Sequence, residues 1–291
     1  MTSLSVHGNT HLVLGAVAYD QKVVPIWDGF LQYFRARDLP FDYVLFSNYE
    51  RQVEAQLHGL IDVAWNSPLA WLQTERIAAR LGRRAEAICM RDTDRDLHSV
   101  IVVRSDGGIE SVADLRGRIV AVGAADSPQA TLIPLNHLAS QGLTPEQDFE
   151  VRAFDRLVGK HGDHIGGERD AVRALLRGEA DAACILDANH LAFAREASIP
   201  AGSISVLAQT AAYDHCNFTV IDGVQSEQVA RFRELLLQMS YGDAEVRPLL
   251  DLEGLKAWVP GRVTGYAPLA AAVDRFGTID AFVTSVEARC R

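Results

Sequence analysis

Apolar and polar positions along this chain follow two rhythms. Short apolar runs bounded by turn residues, at His11–Tyr19 (HLVLGAVAY), Phe41–Phe46 and Val63–Trp65, predict buried strands. Between them the spacing is helical: Ile26, Phe30 and Phe34 mark Val23–Arg37, and further helices are predicted over Tyr49–His58 and Ser67–Leu81. Ala85–Cys89 returns to a strand pattern. The same grammar restarts with strands at Ser99–Arg104, Arg118–Gly123, Phe149–Ala153 and Asp181–Leu186, and with helices at Pro128–Gln141 and Glu168–Arg177. From Ser226 onward the pattern is mostly helical. Strands alternating with helices of about 10–15 residues predict an α/β fold with largely parallel sheets.

Two segments echo one another. Gly59-Leu60-Ile61-Asp62-Val63-Ala64 and Gly178-Glu179-Ala180-Asp181-Ala182-Ala183 both read G-x-x-D-[VA]-A. Each closes a helix on glycine, turns on aspartate and enters an apolar strand of small residues. With like elements on either side, the echo predicts two lobes of similar topology and hence a cleft. Ligands of such sheets bind beyond the carboxyl ends of strands, so the loops after Tyr19, Trp65, Gly123 and Leu186 are expected to face it.

Composition narrows the function. The 291 residues suit one large domain or two modest lobes, and 48% hydrophobic with 23% charged residues is ordinary globular composition. A net charge of −10 argues against a nucleic-acid surface, which needs clustered cations, but leaves a locally positive pocket open. No apolar run reaches the roughly 18–20 residues of a membrane span. The four cysteines, Cys89, Cys184, Cys216 and Cys290, form no CxxC pair, so neither a zinc knuckle nor a thioredoxin-type motif is written here. Met1–Thr10 lacks a basic segment followed by an apolar one. The chain as written is therefore expected to be cytoplasmic, or periplasmic or extracellular if a leader has been removed.

A strand ending at Tyr19, Asn48-Tyr49 opening a helix, and Gly-x-x-Asp-Val-Ala running into Trp65-Asn66-Ser67-Pro68 resemble the first lobe of the phosphate/phosphite/phosphonate-binding components of ABC importers. Ser111-Val112-Ala113-Asp114-Leu115-Arg116-Gly117 before a strand, Pro134, Gly142 and the run from Gly167 to Asp181 resemble the second lobe. The resemblance implies a type II periplasmic-binding-protein fold, with residues 1–98 and 222–291 as one lobe. Residues 99–221 would form the other and include two hinge strands near 99–104 and 217–221. It also implies a small-molecule ligand and, for an exported protein, an ABC permease as partner.

The residues themselves support an anion seat. Ser67-Pro68 and Ser127-Pro128 each place a serine N-cap and a proline at the first helical position directly after a strand. Such helix starts offer backbone N–H groups and the positive end of the helix dipole. Tyr19, Tyr49, Asn66 and Ser67 are the ligand-binding candidates of one lobe, and Ser127, Gln129, Arg169 and Asp187 those of the other. The chain also departs from the family's pattern. Ser127-Pro128-Gln129-Ala130 stands where the family has Ser-Thr-Ser-Gly, with Asp126 in front, and Glu168-Arg169 replaces a Ser-His pair. Two hydroxyls are lost and carboxylates approach. The class expected from this is a small polar or anionic ligand, with the head group open.

A second chemistry is written in Lys160–Glu168, which holds His161, His164 and two acids among three glycines. Imidazole and carboxylate together suit a divalent transition metal, so His161, His164, Glu168 and Cys216 are its candidate ligands. Asp214-His215-Cys216 forms a smaller patch where the chain is expected to cross back between lobes. Three readings stay open: a solute-binding protein, a cytoplasmic enzyme of lyase type using the His/Glu/Cys cluster on the same fold, and a sensor subunit read by a partner.

Overall fold

The computed structural model describes residues 11–163, 165–224 and 226–291. Along the chain run β1 (Leu12–Val17), α1 (Val23–Arg35), β2 (Phe41–Phe46), α2 (Tyr49–Leu57), β3 (Val63–Asn66), α3 (Pro68–Arg80) and β4 (Ala85–Arg91). There follow β5 (Ser99–Arg104), β6 (Ile119–Val122), α4 (Ile133–Ser140), β7 (Glu150–Ala153), α5 (Gly166–Leu176), β8 (Ala182–Leu186), α6 (Asp187–Arg195) and β9 (Ile204–Gln209). The chain closes with β10 (Asn217–Ile221), α7 (Ser226–Leu237), α8 (Arg247–Glu253), β11 (Trp258–Pro260), α9 (Ala267–Phe276) and α10 (Asp280–Cys290).

The chain forms two compact units. The first comprises the described part of Met1–Arg95 with His215–Thr264 and Ile279–Arg291; the second comprises Asp96–Asp214 and Gly265–Thr278. The first unit is built on a sheet of order β11-β4-β10-β3-β1-β2, and the second on β7-β6-β8-β5-β9. In the first, β1 lies parallel to β2 and β3 while β10 runs antiparallel to β3 and β4. In the second, β6 lies parallel to β7 and β8 while β5 runs antiparallel to β8 and β9. The two sheets share one plan: three parallel strands, then one antiparallel strand, then a neighbour antiparallel to that.

The aspartates of the sequence echo explain the shared plan. Gly59 and Gly178 end their helices at φ of +71° and +74°, a backbone that glycine adopts without a side-chain clash. Three residues later, Asp62 donates its N–H to the Val13 carbonyl (2.8 Å) while its carboxylate accepts from the Val13 N–H (2.8 Å). Asp181 repeats this on Ile119, at 2.8 Å and 2.9 Å. In both units the aspartate therefore fixes the third strand against the first before the ladder begins at Val63 and Ala182.

Packing follows the period of each element. In β5, Val100 and Val102 face a core with Ala171, Leu175 and Phe193, while Ile101 and Val103 face one with Leu115, Leu138 and Phe149. The first unit is aromatic: Phe34 packs on Phe41 at 4.7 Å and on Phe232 at 4.9 Å, and Trp65 on Phe218 at 4.6 Å between ring centres. At its margin Arg91 lies 5.2 Å from the centre of the Trp65 ring and pairs with both Asp94 and Glu253. Burial alone would raise the Asp94 carboxyl, but the Arg91 charge and the His215 hydrogen bond more than offset it and bring it down to about 2.

Three short elements escape the sequence patterns. β9 is half exposed, β11 has three residues, and α6 starts directly from β8 with no turn residue to announce it. Pro128–Gln141, expected as one helix, opens with a π-helical turn over Pro128–Leu132 before α4. The boundaries between units also differ from the expected 98/99 and 221/222. The chain leaves the first unit after Arg95 and returns at His215, because β10 pairs with β3 and β4 and so belongs to the first sheet. Residues 265–278 likewise belong to the second unit, where α9 packs against α4.

Asp62→Ala leaves the Val13 N–H without its acceptor and is expected to cost about 1.5–3 kcal/mol, whereas Asp62→Asn keeps an acceptor oxygen and most of the stability. Urea denaturation of the three proteins checks this, with equal midpoints for the alanine variant and the parent counting against the clamp.

Candidate ligand-binding site

In the first unit the candidate residues follow the carboxyl ends of β1, β2 and β3. Tyr19 follows β1, half-buried, with the Lys22 ammonium 5.7 Å from its ring centre. Tyr49 opens α2 and is buried; the preceding Asn48 caps that helix by accepting from the Arg51 N–H (2.9 Å). Asn66 ends β3 and Ser67 caps α3, its hydroxyl accepting from the Ala70 N–H at 3.2 Å. Both are fully buried. Gln52, one turn into α2, donates from Nε2 to the Trp65 carbonyl (3.0 Å) and to Asn66 Oδ1 (2.8 Å), and Asn66 donates in turn to Thr74 Oγ1 at 3.5 Å. The strand end and the helix start are thus tied through one buried amide. Gln52 went unnoticed in the sequence because a glutamine on an amphipathic helix reads as a solvated position.

The second unit repeats the serine cap in an altered setting. Ser127 accepts from the Ala130 N–H at 3.2 Å and is 1% exposed. The carbonyls of Gln129 and Ala130 are taken by the Ser99 hydroxyl (2.5 Å) and the Gly123 N–H (3.2 Å). The Leu132 N–H accordingly reaches back to the Ser127 carbonyl (3.0 Å), and the Ile133 N–H to that of Pro128, a π-type turn of the kind frequent at functional sites. Ser99 also meets the Tyr213 hydroxyl at 2.9 Å, and burial raises that phenol above its ordinary range.

The glycine-rich loop lies directly on this helix start. Gln129 Nε2 donates to the Gly162 carbonyl (2.8 Å), and Asp126 Oδ2 accepts from the Gly159 N–H (2.5 Å). Gly162 sits at φ +77°, and a Cβ there would stand 2.2 Å from Ser127 Oγ. Only glycine allows this approach. Asp126 Oδ1 and Gln129 Oε1 are buried acceptors with no partner among the described residues. The second helix start is therefore covered by a loop and surrounded by acceptors, where an oxyanion needs donors.

The remaining candidates are placed as follows. Arg169, on α5, pairs with Glu196 (2.6 Å) and lies over the Phe193 ring at 4.3 Å, which draws its guanidinium toward the end of α6. Asp187 opens α6, its carboxylate accepting from the Ala188 N–H at 2.7 Å. Glu168 is buried and accepts from the Leu186 N–H and from Asn189 Nδ2, both at 2.9 Å. His161 is fully buried in the loop at φ +49°. His164 lies outside the described residues. Cys216 belongs to the first unit, beside His215, whereas His161 and Glu168 belong to the second. Among the described residues, the metal-capable trio is Asp94, His215 and Cys216; the expected set of His161, His164, Glu168 and Cys216 includes His164, which lies outside them. Burial, with the Glu168 charge beside it, pushes the Cys184 thiol up to about 12, and burial does the same for Cys89, so neither offers a thiolate.

Residues 16–266 match the family model described as "ABC transporter, phosphonate, periplasmic substrate-binding protein". The chain belongs to this family of substrate-binding proteins. Its relatives are components of ABC transporters, so a permease partner and a small-molecule ligand go with membership. Solved structures agree on the two-lobed α/β fold. PhnD1 from Prochlorococcus marinus, in complex with methylphosphonate, superposes with a TM-score of 0.69 at 16% identity over 93% of this chain and 100% of that one. A protein from Xanthomonas citri bound to ATP gives 0.65 at 18% identity over 96% and 99%. The periplasmic aliphatic sulphonate binding protein SsuA from Escherichia coli gives 0.60 at 20% identity over 97% and 92%. No helix among the described residues is long and apolar enough to cross a membrane.

Gly162→Ala is expected to lift the loop from Ser127 and expose the bond after Lys160. Limited trypsinolysis of the native protein followed by mass spectrometry should show that cleavage accelerating several-fold, while cleavage as slow as in the parent would mean that the loop tolerates a side chain there.

Proposed function

We propose that this member of the family serves as the periplasmic receptor of an importer and binds a small oxyanion through the α3 helix start of the first unit. The observation that carries the reading is the Asn66-Ser67-Pro68 start of α3, with its serine cap and its buried Gln52–Asn66–Thr74 support. Tyr19, after β1, and Tyr49, opening α2 after β2, would shape the ligand's surroundings. In the second unit the readers would be Gln129 and Asp187, with Ser127 capping its helix and Arg169 tethered to Glu196.

The same geometry bears on the head group. A phosphonate dianion favours several hydroxyl or N–H donors, and the Ser127 start presents the carboxylate of Asp126 and the carbonyl of Gln129 instead. A singly charged oxyanion, a sulfonate or a phosphonate carrying one proton, meets less repulsion there. A protonated phosphonate or a donor substituent on the ligand would also give Gln129 Oε1 and Asp126 Oδ1 a proton to accept.

Isothermal titration with methanesulfonate, methylphosphonate and inorganic phosphate tests the reading. The expected order places the singly charged ligand ahead of phosphate, with affinity for methylphosphonate rising as pH falls toward its monoanion. Ser67→Ala should weaken binding about tenfold or more, as loss of a hydrogen bond in an anion seat does. Unchanged affinity in Ser67→Ala, or binding that follows dianion content, would overturn it.

A further inference from the structure

Asp94, His215 and Cys216 converge in the first unit, where β10 begins its pairing with β3 at Asn217 and Asn66. Asp94 lies in the short turn after β4, and His215-Cys216 leads into β10; the His215 N–H donates to the Asp94 carbonyl at 2.8 Å and brings the two segments side by side. His215 Nδ1 is 3.1 Å from Cys216 Sγ and 3.6 Å from Asp94 Oδ1. One ligand atom from each residue lies within 4.8 Å of the others, and the three side chains are nearly or fully buried.

A catalytic triad uses the two ring nitrogens of its histidine for two different partners. Here the carboxylate and the thiol approach the same nitrogen. One Nδ1–H cannot serve both well, whereas convergence of oxygen, nitrogen and sulfur on a common point is how side chains surround an ion. Ligand atoms about 2.0–2.3 Å from a tetrahedral zinc ion stand roughly 3.4–3.6 Å apart, within a few tenths of an ångström of the separations seen.

We propose that Asp94, His215 and Cys216 bind one divalent metal ion of the zinc class. Mixed carboxylate, imidazole and thiolate donors suit Zn²⁺ and its spectroscopic surrogate Co²⁺ and disfavour Mg²⁺ or Ca²⁺. The buried charges support this assignment. Arg91 donates to Asp94 from Nε (2.5 Å) and Nη2 (2.8 Å) and to Glu253 from Nη1 (3.2 Å), which joins one guanidinium to two carboxylates. Binding releases the thiol proton to solvent, so thiolate, two carboxylates, one guanidinium and a dication sum to zero. Arg91 then holds the ligating carboxylate from behind, as second-layer donors do at metal sites. The ion would join the last turn of the first unit before the chain leaves it at Arg95 to the residues on which it returns at His215.

The test is titration of the chelator-treated full-length protein with Co²⁺, followed by absorption. One equivalent should produce a thiolate-to-cobalt charge-transfer band and visible ligand-field bands, and Zn²⁺ should abolish both by displacement. Cys216→Ser should lose the charge-transfer band, and His215→Gln should bind at least about tenfold more weakly. Asp94→Asn also breaks the pair with Arg91, so the cysteine and histidine variants, checked by circular dichroism, decide the outcome. Cys290→Ser should leave the spectrum unchanged. No uptake at excess Co²⁺, or a charge-transfer band that survives Cys216→Ser, would overturn the assignment.

Discussion

A carboxylate that accepts a backbone N–H while its own N–H donates to the same residue's carbonyl fixes a strand pairing at two points. Asp62 does this on Val13 and Asp181 on Ile119, and the architecture of each unit rests on it. The third strand is registered against the first before its apolar residues are reached, so the small residues of VAWN and AACIL fall into place with their sides already chosen. A slip of one residue would turn Trp65 out of the aromatic core and Asn66 into it. The place where each strand ends, and so where the next helix starts, is set by an aspartate several residues upstream.

What stands at those strand ends differs between the units. In the first, a buried amide, Gln52, bonds to both the Trp65 carbonyl and the Asn66 side chain, so the residues around Ser67 are tied to a packed helix. In the second, the glycine loop lies on Ser127, with Asp126 and Gln129 gripping its backbone. The two starts look alike in sequence, Ser-Pro after an apolar strand. They differ in what the neighbouring chain supplies: a buried amide behind the first, and at the second a glycine loop with the acceptors of Asp126 and Gln129.

This marks the boundary of what the sequence shows. Features governed by local backbone chemistry were legible: the serine caps with proline behind them, the glycines ending helices, the aspartate echo and the apolar run of Ser99–Arg104 as a strand. Features governed by residues far along the chain were not. Nothing in Gln52 announces that it meets Asn66, and nothing in Asp94 announces that it meets His215 across 121 positions. The sequence groups Cys216 with the glycine-loop histidines by likeness of chemistry alone, since which sheet β10 enters is not written locally. β9 and β11 were missed because half-exposed or three-residue strands carry too few apolar positions to show a period.

The π turn at Pro128 shows how far a tertiary contact can redirect a local signal. Ser-Pro after a strand specifies a helix start and nothing more. The Ser99 hydroxyl then takes the Gln129 carbonyl, which the Ile133 N–H would use in an α-helix, while the Ala130 carbonyl, whose helical donor position is Pro134, accepts from the Gly123 N–H. With those acceptors engaged, the next N–H groups reach one residue further back. A turn with one residue more than an α-turn rotates what precedes it by about 100° around the axis relative to a regular start. Gln129 is thereby aimed at the Gly162 carbonyl, and the face that an ordinary start would present passes to Asp126 and the glycine loop. The serine that reads as an anion seat is in place, and a hydroxyl 28 residues upstream decides what it faces.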